Sequence, residues 1–307
     1  MTIFLELLIA AASLSAWRDA IASLAAALGA GSILLGLWNY RAAIGETTLV
    51  SAGWWSAAAT AAIAGVELSH AAFGLANSWL EPLRFCVAAL SFCPFVSVLG
   101  AKRPQHLAWN FVVLSLWGIV SLSALTAVAM QRSGGFVLGD ARAWLLWVLI
   151  LMGLINYLPT GNRLAALLVA LGQVILFASH LPLLRGVVLI ANLPAAPSLA
   201  LFLFAIAAAV LRPGSKVEVQ EAKVDAFDRL WLDFRNSFGL LWGLRLQERV
   251  NAASSAAKWD VELQWHGFPA KGVPAKHREA VRQAMTGLLR RFVSHEWIAA
   301  RLEKGVD

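Results

Sequence analysis

"LAWNFVVLSLWGIVSLSALTAVAM", residues 107–130, contains no Asp, Glu, Lys or Arg. A helix rises 1.5 Å per residue, so about 20 apolar residues cross the hydrocarbon core of a bilayer. The stretch lacks the alternation of apolar and polar residues that marks a strand of a membrane β-barrel. It therefore predicts a membrane-spanning α-helix and a mainly α fold.

Further apolar runs of similar length lie on both sides of this stretch. Together they predict a polytopic α-helical membrane bundle of about eight spans, or seven if the short first run does not cross. A shorter apolar piece, Pro182–Pro197, cannot span by itself. The runs are Ile3–Ala16, Ile21–Trp38, Leu49–Leu75, Pro82–Gly100, Leu107–Met130, Ala143–Leu158, Leu164–Leu181 and Leu193–Leu211.

Charge divides the chain into two parts. Residues 1–211 hold nine Lys/Arg and six Asp/Glu, whereas residues 212–307 hold sixteen and twelve. This difference predicts a transmembrane bundle over residues 1–212 and a soluble C-terminal module over residues 213–307. The net charge of +7 comes from interspersed charges of both signs. It therefore indicates a lipid bilayer as the partner and argues against nucleic acid.

The C-terminal module has the pattern of a small α+β unit. Apolar residues at helical spacing predict a long amphipathic helix from about Gln220 to Ala257. Its section "FGLLWGLRL", with Trp242, is apolar nearly all round and is expected to dock on another surface. Strict alternation predicts a strand over residues 258–265, which needs a partner from residues 217–219, from the segment up to Val273, or from another chain. Two closing helices are expected at Ala275–Arg291 and His295–Lys304, with Ser294 as the N-cap of the second.

Basic residues between the spans indicate the orientation. Lys102 and Arg103, with His106 in the same short loop, favour a cytoplasmic position for this loop and for the C-terminal module. We therefore expect a multi-pass protein of a bacterial inner membrane. The three side chains and Trp242 are candidate contacts with lipid headgroups or with a protein partner.

Glu67 and His70 form the most distinctive polar pair in the apolar part of the chain. They are three residues apart in "GVELSHAAFG", and so they share a helical face. An ionisable residue at membrane depth is costly and suggests function. Three interpretations remain open: a protonated glutamate hydrogen-bonded to a neighbouring helix, a proton or ion path, and a cofactor site.

Gln173 and His180 mark a second polar face, in the seventh run. The third and seventh runs are expected to be parallel, which brings His70 and His180 towards the same side of the membrane. Two such histidines are the minimum for bis-histidine haem ligation.

The element Glu67-Leu-Ser-His70 resembles the Glu-x-x-His-Arg element of haem A synthases, eight-helix membrane proteins in which the histidine ligates haem. Ala71 stands where that family has arginine. The resemblance covers four residues, and the activity of that family is not carried over.

Catalytic and metal-binding motifs are absent from the sequence. It contains no Walker A, GxGxxG, GxSxG or HExxH pattern, so no catalytic or metal-ligating residue is assigned. The leading hypothesis is therefore a non-enzymatic scaffold, assembly or accessory subunit, whose C-terminal module engages a protein partner or a second copy of the chain. The alternatives are a proton- or ion-coupled transporter using Glu67 and His70, and a haem- or quinone-linked redox protein using His70 and His180.

Overall fold

The structure is a computed structural model that describes residues 2–303 except Pro104, His106, 131–135, 137, 185–194, 212–224 and 270–271. Side chains are described from Trp17 onward, apart from those of Arg18, Asp19, Asn77 and Glu303. The described residues are mainly helical and include no β-strand. The α-helices are α1 (Thr2–Asn39), α2 (Arg41–Gly45), α3 (Val50–Phe73), α4 (Asn77–Ala89), α5 (Cys93–Leu99), α6 (Trp109–Ala129), α7 (Asp140–Tyr157), α8 (Arg163–Phe177), α9 (Ala196–Val210), α10 (Ala226–Ala257), α11 (Arg278–Leu289) and α12 (His295–Glu303), with 3₁₀ turns at Leu90–Phe92 and Ala275–His277.

Four helical segments are long and apolar enough to cross a membrane. They are Ala20–Asn39 within α1, Ser78–Leu99 over α4 and α5, and the whole of α6 and α7. Helices α8 and α9 are also apolar but have only 15 residues each. Helix α3 has 24 residues but is less apolar, because polar residues including Glu67 interrupt it. The chain therefore has the composition and helices of a membrane protein, but the expected count of eight spans is not supported.

The first two predicted spans are a single helix. Helix α1 continues for 38 residues through Trp17–Ala20, which contains charged residues but neither Pro nor Gly. At 1.5 Å per residue α1 is about 57 Å long, well beyond the thickness of a hydrocarbon core. Charges alone do not end a helix, and so the predicted break between residues 16 and 21 is not formed.

The helices of the bundle run alternately between two ends. At the module end, the start of α3 and the ends of α5 and α7 meet the C-terminal helices α10 to α12. At the cavity end, the C-terminal part of α3 (Ile63 and Glu67), residues 81–88 of α4, the end of α8 and the first turn of α9 surround a polar cavity. Helices α3 and α8 therefore run parallel, as the sequence predicts. The bundle core lies between α4, α6, α7 and α8 and includes Phe85, Leu146 and Phe177.

The core of the C-terminal module continues into the bundle. Trp231, Phe234 and Leu263 are fully buried and belong to one cluster with Val98 and Ala101 of the bundle. Three backbone contacts tie the turn between α11 and α12 to the short loops of the bundle: Thr48 N donates to Phe292 O (2.8 Å), Ser294 N to Glu46 O (2.7 Å) and Arg103 N to Arg291 O (2.8 Å). The module is thus packed on its own membrane domain.

The apolar section of α10 docks on the bundle. The Trp242 indole N–H donates to Val98 O (2.8 Å), and Leu241 N donates to Asn156 Oδ1 (3.1 Å). The expected docking surface is therefore part of the same chain.

Helix α10 bends at Gly239, where φ is 80° and ψ is −170°. A Cβ at this glycine would lie 2.1 Å from Asn156 Nδ2, so only glycine permits the approach. The predicted helix from Gln220 begins at Ala226 in the described residues, and residues 212–224 lie outside them.

Residues 258–265 do not form the predicted strand. Burial alternates as expected, with Val261 and Leu263 buried and Glu262 exposed. The backbone groups, however, bond to side chains of α10. Asn251 satisfies both the N–H (2.7 Å) and the C=O (3.0 Å) of Leu263, and Ser254 Oγ donates to Val261 O (2.5 Å). Helix side chains replace the neighbouring strand that the pattern required, so the α+β assignment of the module is not supported.

The two closing helices lie where the sequence predicts them. Helix α11 begins after a 3₁₀ turn at Ala275–His277, and α12 begins at His295. Trp297 N donates to Ser294 Oγ (3.1 Å), which makes Ser294 the N-cap of α12.

Candidate functional site

Glu67 is held in a two-point ion pair with Arg84. Arg84 Nε donates to Glu67 Oε1 (2.7 Å) and Arg84 Nη2 to Glu67 Oε2 (2.6 Å). The Glu67 side chain is 7% exposed and that of Arg84 is 29% exposed. A parallel pair of charge-assisted bonds is the strongest arrangement of these two groups. The hydrogen-bond partner of Glu67 on the neighbouring helix is therefore the guanidinium of Arg84.

The turn between α3 and α4 sets this pairing. Helix α3 ends at Gly74, whose φ of 61° reverses the chain, and α4 begins at Asn77. Glu67 and Arg84 lie at nearly equal distances along the chain from this turn, and so they face each other across an antiparallel pair. The sequence analysis did not identify Arg84 as a partner of Glu67. The equal spacing about the Gly74 turn was the signal that could have found it.

A polar cavity adjoins the ion pair. It has a volume of about 110 Å³, and its polar lining consists of Glu67, Glu81, Arg84, Ser179 and His180. Apolar side chains of α3, α4, α8 and α9 complete the wall. A cavity of this size and polarity holds several water molecules or one small polar solute.

The ionisable side chains described along the lining are two carboxylates, one guanidinium and His180. Arg84 is paired with Glu67, and Glu81 is exposed. Among the described residues there is no group of three or more His, Cys, Asp and Glu side chains arranged to hold a metal ion. Carboxylates attract cations, so this lining can bind a proton or a small hydrated cation.

His70 lies one turn from Glu67 without bonding to it. Its Nδ1 atom is buried and has no hydrogen-bond partner among the described residues. A buried ring nitrogen in this state needs a partner that binds there, such as water or a proton donor. Glu67 and His70 thus share a helical face, as predicted, but the Glu67 carboxylate accepts its hydrogen bonds from Arg84 and not from His70.

His180 reaches the cavity, whereas Gln173 does not. The His180 ring lies 4.8 Å from Phe85 and 5.1 Å from Phe136 between ring centroids, and its Nδ1 lies 2.9 Å from Ser179 Oγ. Gln173 is buried deeper in the bundle and donates from Nε2 to Ser91 O (3.1 Å). Of the predicted intramembrane residues, Glu67 and His180 are therefore brought together at one cavity, and Gln173 joins two helices.

The cavity does not suit a haem group. At about 110 Å³ it holds several water molecules and is much smaller than a porphyrin. The His180 ring is also packed against two phenylalanine rings. These residues do not fit bis-histidine ligation.

The predicted lipid or partner contacts lie at the module end. Arg103 is exposed, and its backbone N–H bonds to the turn before α12. Lys102 is half-buried beside it, and His106 lies outside the described residues. Trp242 is buried between the module and the bundle.

The C-terminal module contains a second buried ion pair. Arg301 Nε donates to Asp233 Oδ2 (2.8 Å), and the guanidinium lies 3.6 Å from the Trp297 ring centroid. Burial lowers the pKa of Arg301, while Asp233 and Glu46 oppose that shift. This pair is enclosed by packed side chains, in contrast to the pair at the cavity.

Comparison of the chain with protein-family models, with curated proteins and with solved structures gives no match.

Proposed function

We propose that the protein is a proton- or ion-coupled membrane transporter whose coupling site is the cavity bordered by Glu67 and Arg84. One observation carries this proposal: a two-point ion pair with a buried carboxylate adjoins a polar cavity of about 110 Å³, which a second carboxylate, the exposed Glu81, also lines. Ionisable groups at membrane depth mark ion and proton pathways. Packing alone does not require the cavity or the second carboxylate.

The pair supplies a coupling mechanism. A proton or cation that binds Glu67 neutralises its carboxylate and removes the charge that holds Arg84. Glu81 lies three residues before Arg84 on α4, at the spacing of helical ion pairs, and can then receive the guanidinium. Arg84 thus has two carboxylate partners, and occupancy of Glu67 decides between them. His180 lines the same cavity as Glu67, and His70 lies one helical turn from Glu67 on α3, so these two histidines are the candidate proton donors in this proposal.

The proposed setting is the inner membrane of a bacterium, with the C-terminal module in the cytoplasm. Lys102 and Arg103 lie at the module end, which supports this orientation under the positive-inside rule. In this arrangement seven helical segments cross: α1, α3, α4 with α5, α6, α7, α8 and α9. The cavity then opens towards the opposite side of the membrane.

Two of the sequence features that suggested a scaffold function make their contacts within the chain itself. The apolar section of α10 packs on the bundle, and the backbone of residues 258–265 bonds to α10. An unsatisfied helix face and an unpaired strand therefore no longer call for a protein partner. We retain this function only as the alternative outcome of the experiment below.

Infrared difference spectroscopy tests whether Glu67 changes its protonation state. The wild-type protein in lipid vesicles is compared at two pH values, and a protonated carboxyl band is expected in the difference spectrum. Glu67→Gln should remove this band and abolish proton uptake driven by a membrane potential, measured with an internal pH dye.

Two controls make the result decisive. Glu248→Gln removes an exposed carboxylate of α10 far from the cavity and should leave both signals unchanged. The double variant Glu67→Gln/Arg84→Gln avoids an unpaired arginine and should lack the band in a folded protein. If Glu67→Gln retains the wild-type spectrum and flux, the transport proposal is wrong, and the result favours the scaffold function.

A further inference from the structure

The module end carries a basic patch that is assembled from two parts of the chain. Lys102 and Arg103 belong to the loop between α5 and α6, whereas Arg290 and Arg291 follow α11. The hydrogen bond from Arg103 N to Arg291 O (2.8 Å) brings the two pairs together. The three arginines are exposed and Lys102 is half-buried. We call these four residues the junction patch.

The junction patch has no acidic counterpart among the described residues. None of its four side chains lies within 4.0 Å of a described carboxylate. Glu46 approaches the turn through its backbone carbonyl, which accepts from Ser294 N. Its charge acts on Arg301, which is already paired with Asp233. The basic charge of the patch is therefore left for a ligand.

The position of the patch coincides with the edge of the lipid-facing surface. Leu107 and Phe111, the first outward-facing apolar residues after the loop, are 68% and 75% exposed. They follow Arg103 by four and eight residues, and Phe111 lies in the first turn of α6, so the patch adjoins the end of the apolar surface of this helix. Arg41, in α2 at the same end, lies over the Trp38 ring, an arrangement common at this level.

We propose that the junction patch binds the phosphate of an anionic phospholipid headgroup and thereby fastens the C-terminal module to the membrane domain. Clusters of Lys and Arg next to membrane helices attract anionic lipids, and each charge contributes about a fivefold increase in binding. Because two of the charges come from the module and two from the bundle, the complete site exists only when the module is docked. Bound lipid therefore stabilises the docked arrangement. This inference is independent of the transport proposal.

Thermal unfolding of the full chain in a neutral detergent tests the inference. Phosphatidylglycerol should raise the Tm, whereas phosphatidylcholine with the same acyl chains and inorganic phosphate should not. Arg290→Gln/Arg291→Gln should weaken the phosphatidylglycerol effect by about 25-fold in lipid concentration. Lys276→Gln/Arg282→Gln removes the same charge from exposed positions near the other end of α11 and should retain the effect.

A second variant guards against loss of folding. Lys102→Gln/Arg103→Gln changes the bundle side of the patch and should cause the same loss as the pair on the module side. Equal lipid effects in the junction and control variants would overturn the proposal, as would equal effects of the two lipids. A shift reproduced by inorganic phosphate would show a site for free anions instead of a lipid contact.

Discussion

The two ends of the bundle treat their polar groups differently. At the module end, Asn156, Asn251 and Trp242 each make specific hydrogen bonds, although Asn156 Nδ2 is buried without a partner among the described residues. At the cavity end, charged groups border a space of about 110 Å³, and the Nδ1 atom of His70 likewise has no partner in the described part of the chain. Unpartnered polar atoms therefore occur at both ends. The cavity end differs in having charged side chains beside an open space, and so function is sought there.

The two buried ion pairs show the same contrast. Asp233 and Arg301 are 3% and 15% exposed, and the Arg301 guanidinium packs on the Trp297 ring. Glu67 is equally buried, but Arg84 is 29% exposed and reaches a cavity with a second carboxylate. A closed pair stabilises one arrangement, whereas a pair beside a cavity can exchange partners.

Gly239→Ala is the most severe test of close fit at the module end. The residue has a φ of 80°, and its Cβ would lie 2.1 Å from Asn156 Nδ2 and 2.9 Å from Asn156 O. We expect a loss of about 3–5 kcal/mol and a Tm lower by many degrees, because backbone strain and a steric clash combine. Gly287→Ala, at an exposed helical glycine with no atom within 4 Å, should stabilise the module by up to about 1 kcal/mol. Similar Tm changes of the same sign would contradict the close-packed description.

A double-variant cycle on Arg84 and Glu67 tests the cavity end. Arg84→Gln leaves a buried carboxylate without its cation, and we expect a loss of about 2–4 kcal/mol, moderated by the partial exposure of Arg84. Glu67→Gln should also destabilise. The double variant should recover much of the loss, measured as the Tm in detergent, because no unpaired charge remains. Arg163→Gln, at an exposed arginine of α8, is the control and should change little. If the single effects simply add, the two side chains are not coupled.

Asp228 extends the comparison, because it places an unfavourable charge in the C-terminal module. Burial raises the pKa of its carboxyl above the usual 3.8; the hydrogen bond from Phe268 N opposes this shift, and the charge of Asp225 adds to it. The folded protein therefore holds the proton more tightly than the unfolded chain, and stability falls as the pH rises from about 3.8 through the raised pKa.

We expect Asp228→Asn to flatten the dependence of Tm on pH across this window. The amide oxygen can still accept from Phe268 N, so the effect on stability at neutral pH should be small and favourable. Asp260→Asn, at an exposed aspartate of the same module, should leave the pH dependence unchanged. A steeper pH dependence in Asp228→Asn would show that the carboxylate stabilises the fold.

Much of the fold follows from local patterns. Continuous apolar runs predicted the helices of the bundle, and Ser294 correctly marked the start of α12. The alternation over residues 258–265 correctly predicted which side chains are buried, but it wrongly predicted a strand. Alternation reports the environment of side chains and does not reveal which groups bond to the backbone, so the amide of Asn251 could not be anticipated.

Local sequence patterns predicted only part of the candidate site. Glu67 and His180 stood out because ionisable groups are rare in apolar helices, and the parallel course of α3 and α8 brings both to the cavity. Arg84 was missed because it lies near the start of the predicted run Pro82–Gly100, where a basic residue normally faces water, whereas α4 begins at Asn77. Its pairing depends on the angle and depth of two neighbouring helices.

By itself, the sequence determined the membrane character of the chain, its mainly helical structure and the rarity of charge in its first two-thirds. These properties follow from transfer free energies, which each segment carries independently of its neighbours. Tertiary structure decided that α10 packs on the bundle and that Glu67 pairs with Arg84 instead of His70. It also decided that a cavity remains beside this ion pair. Such outcomes depend on distances of a few ångströms between segments far apart in the chain, and no local pattern encodes them.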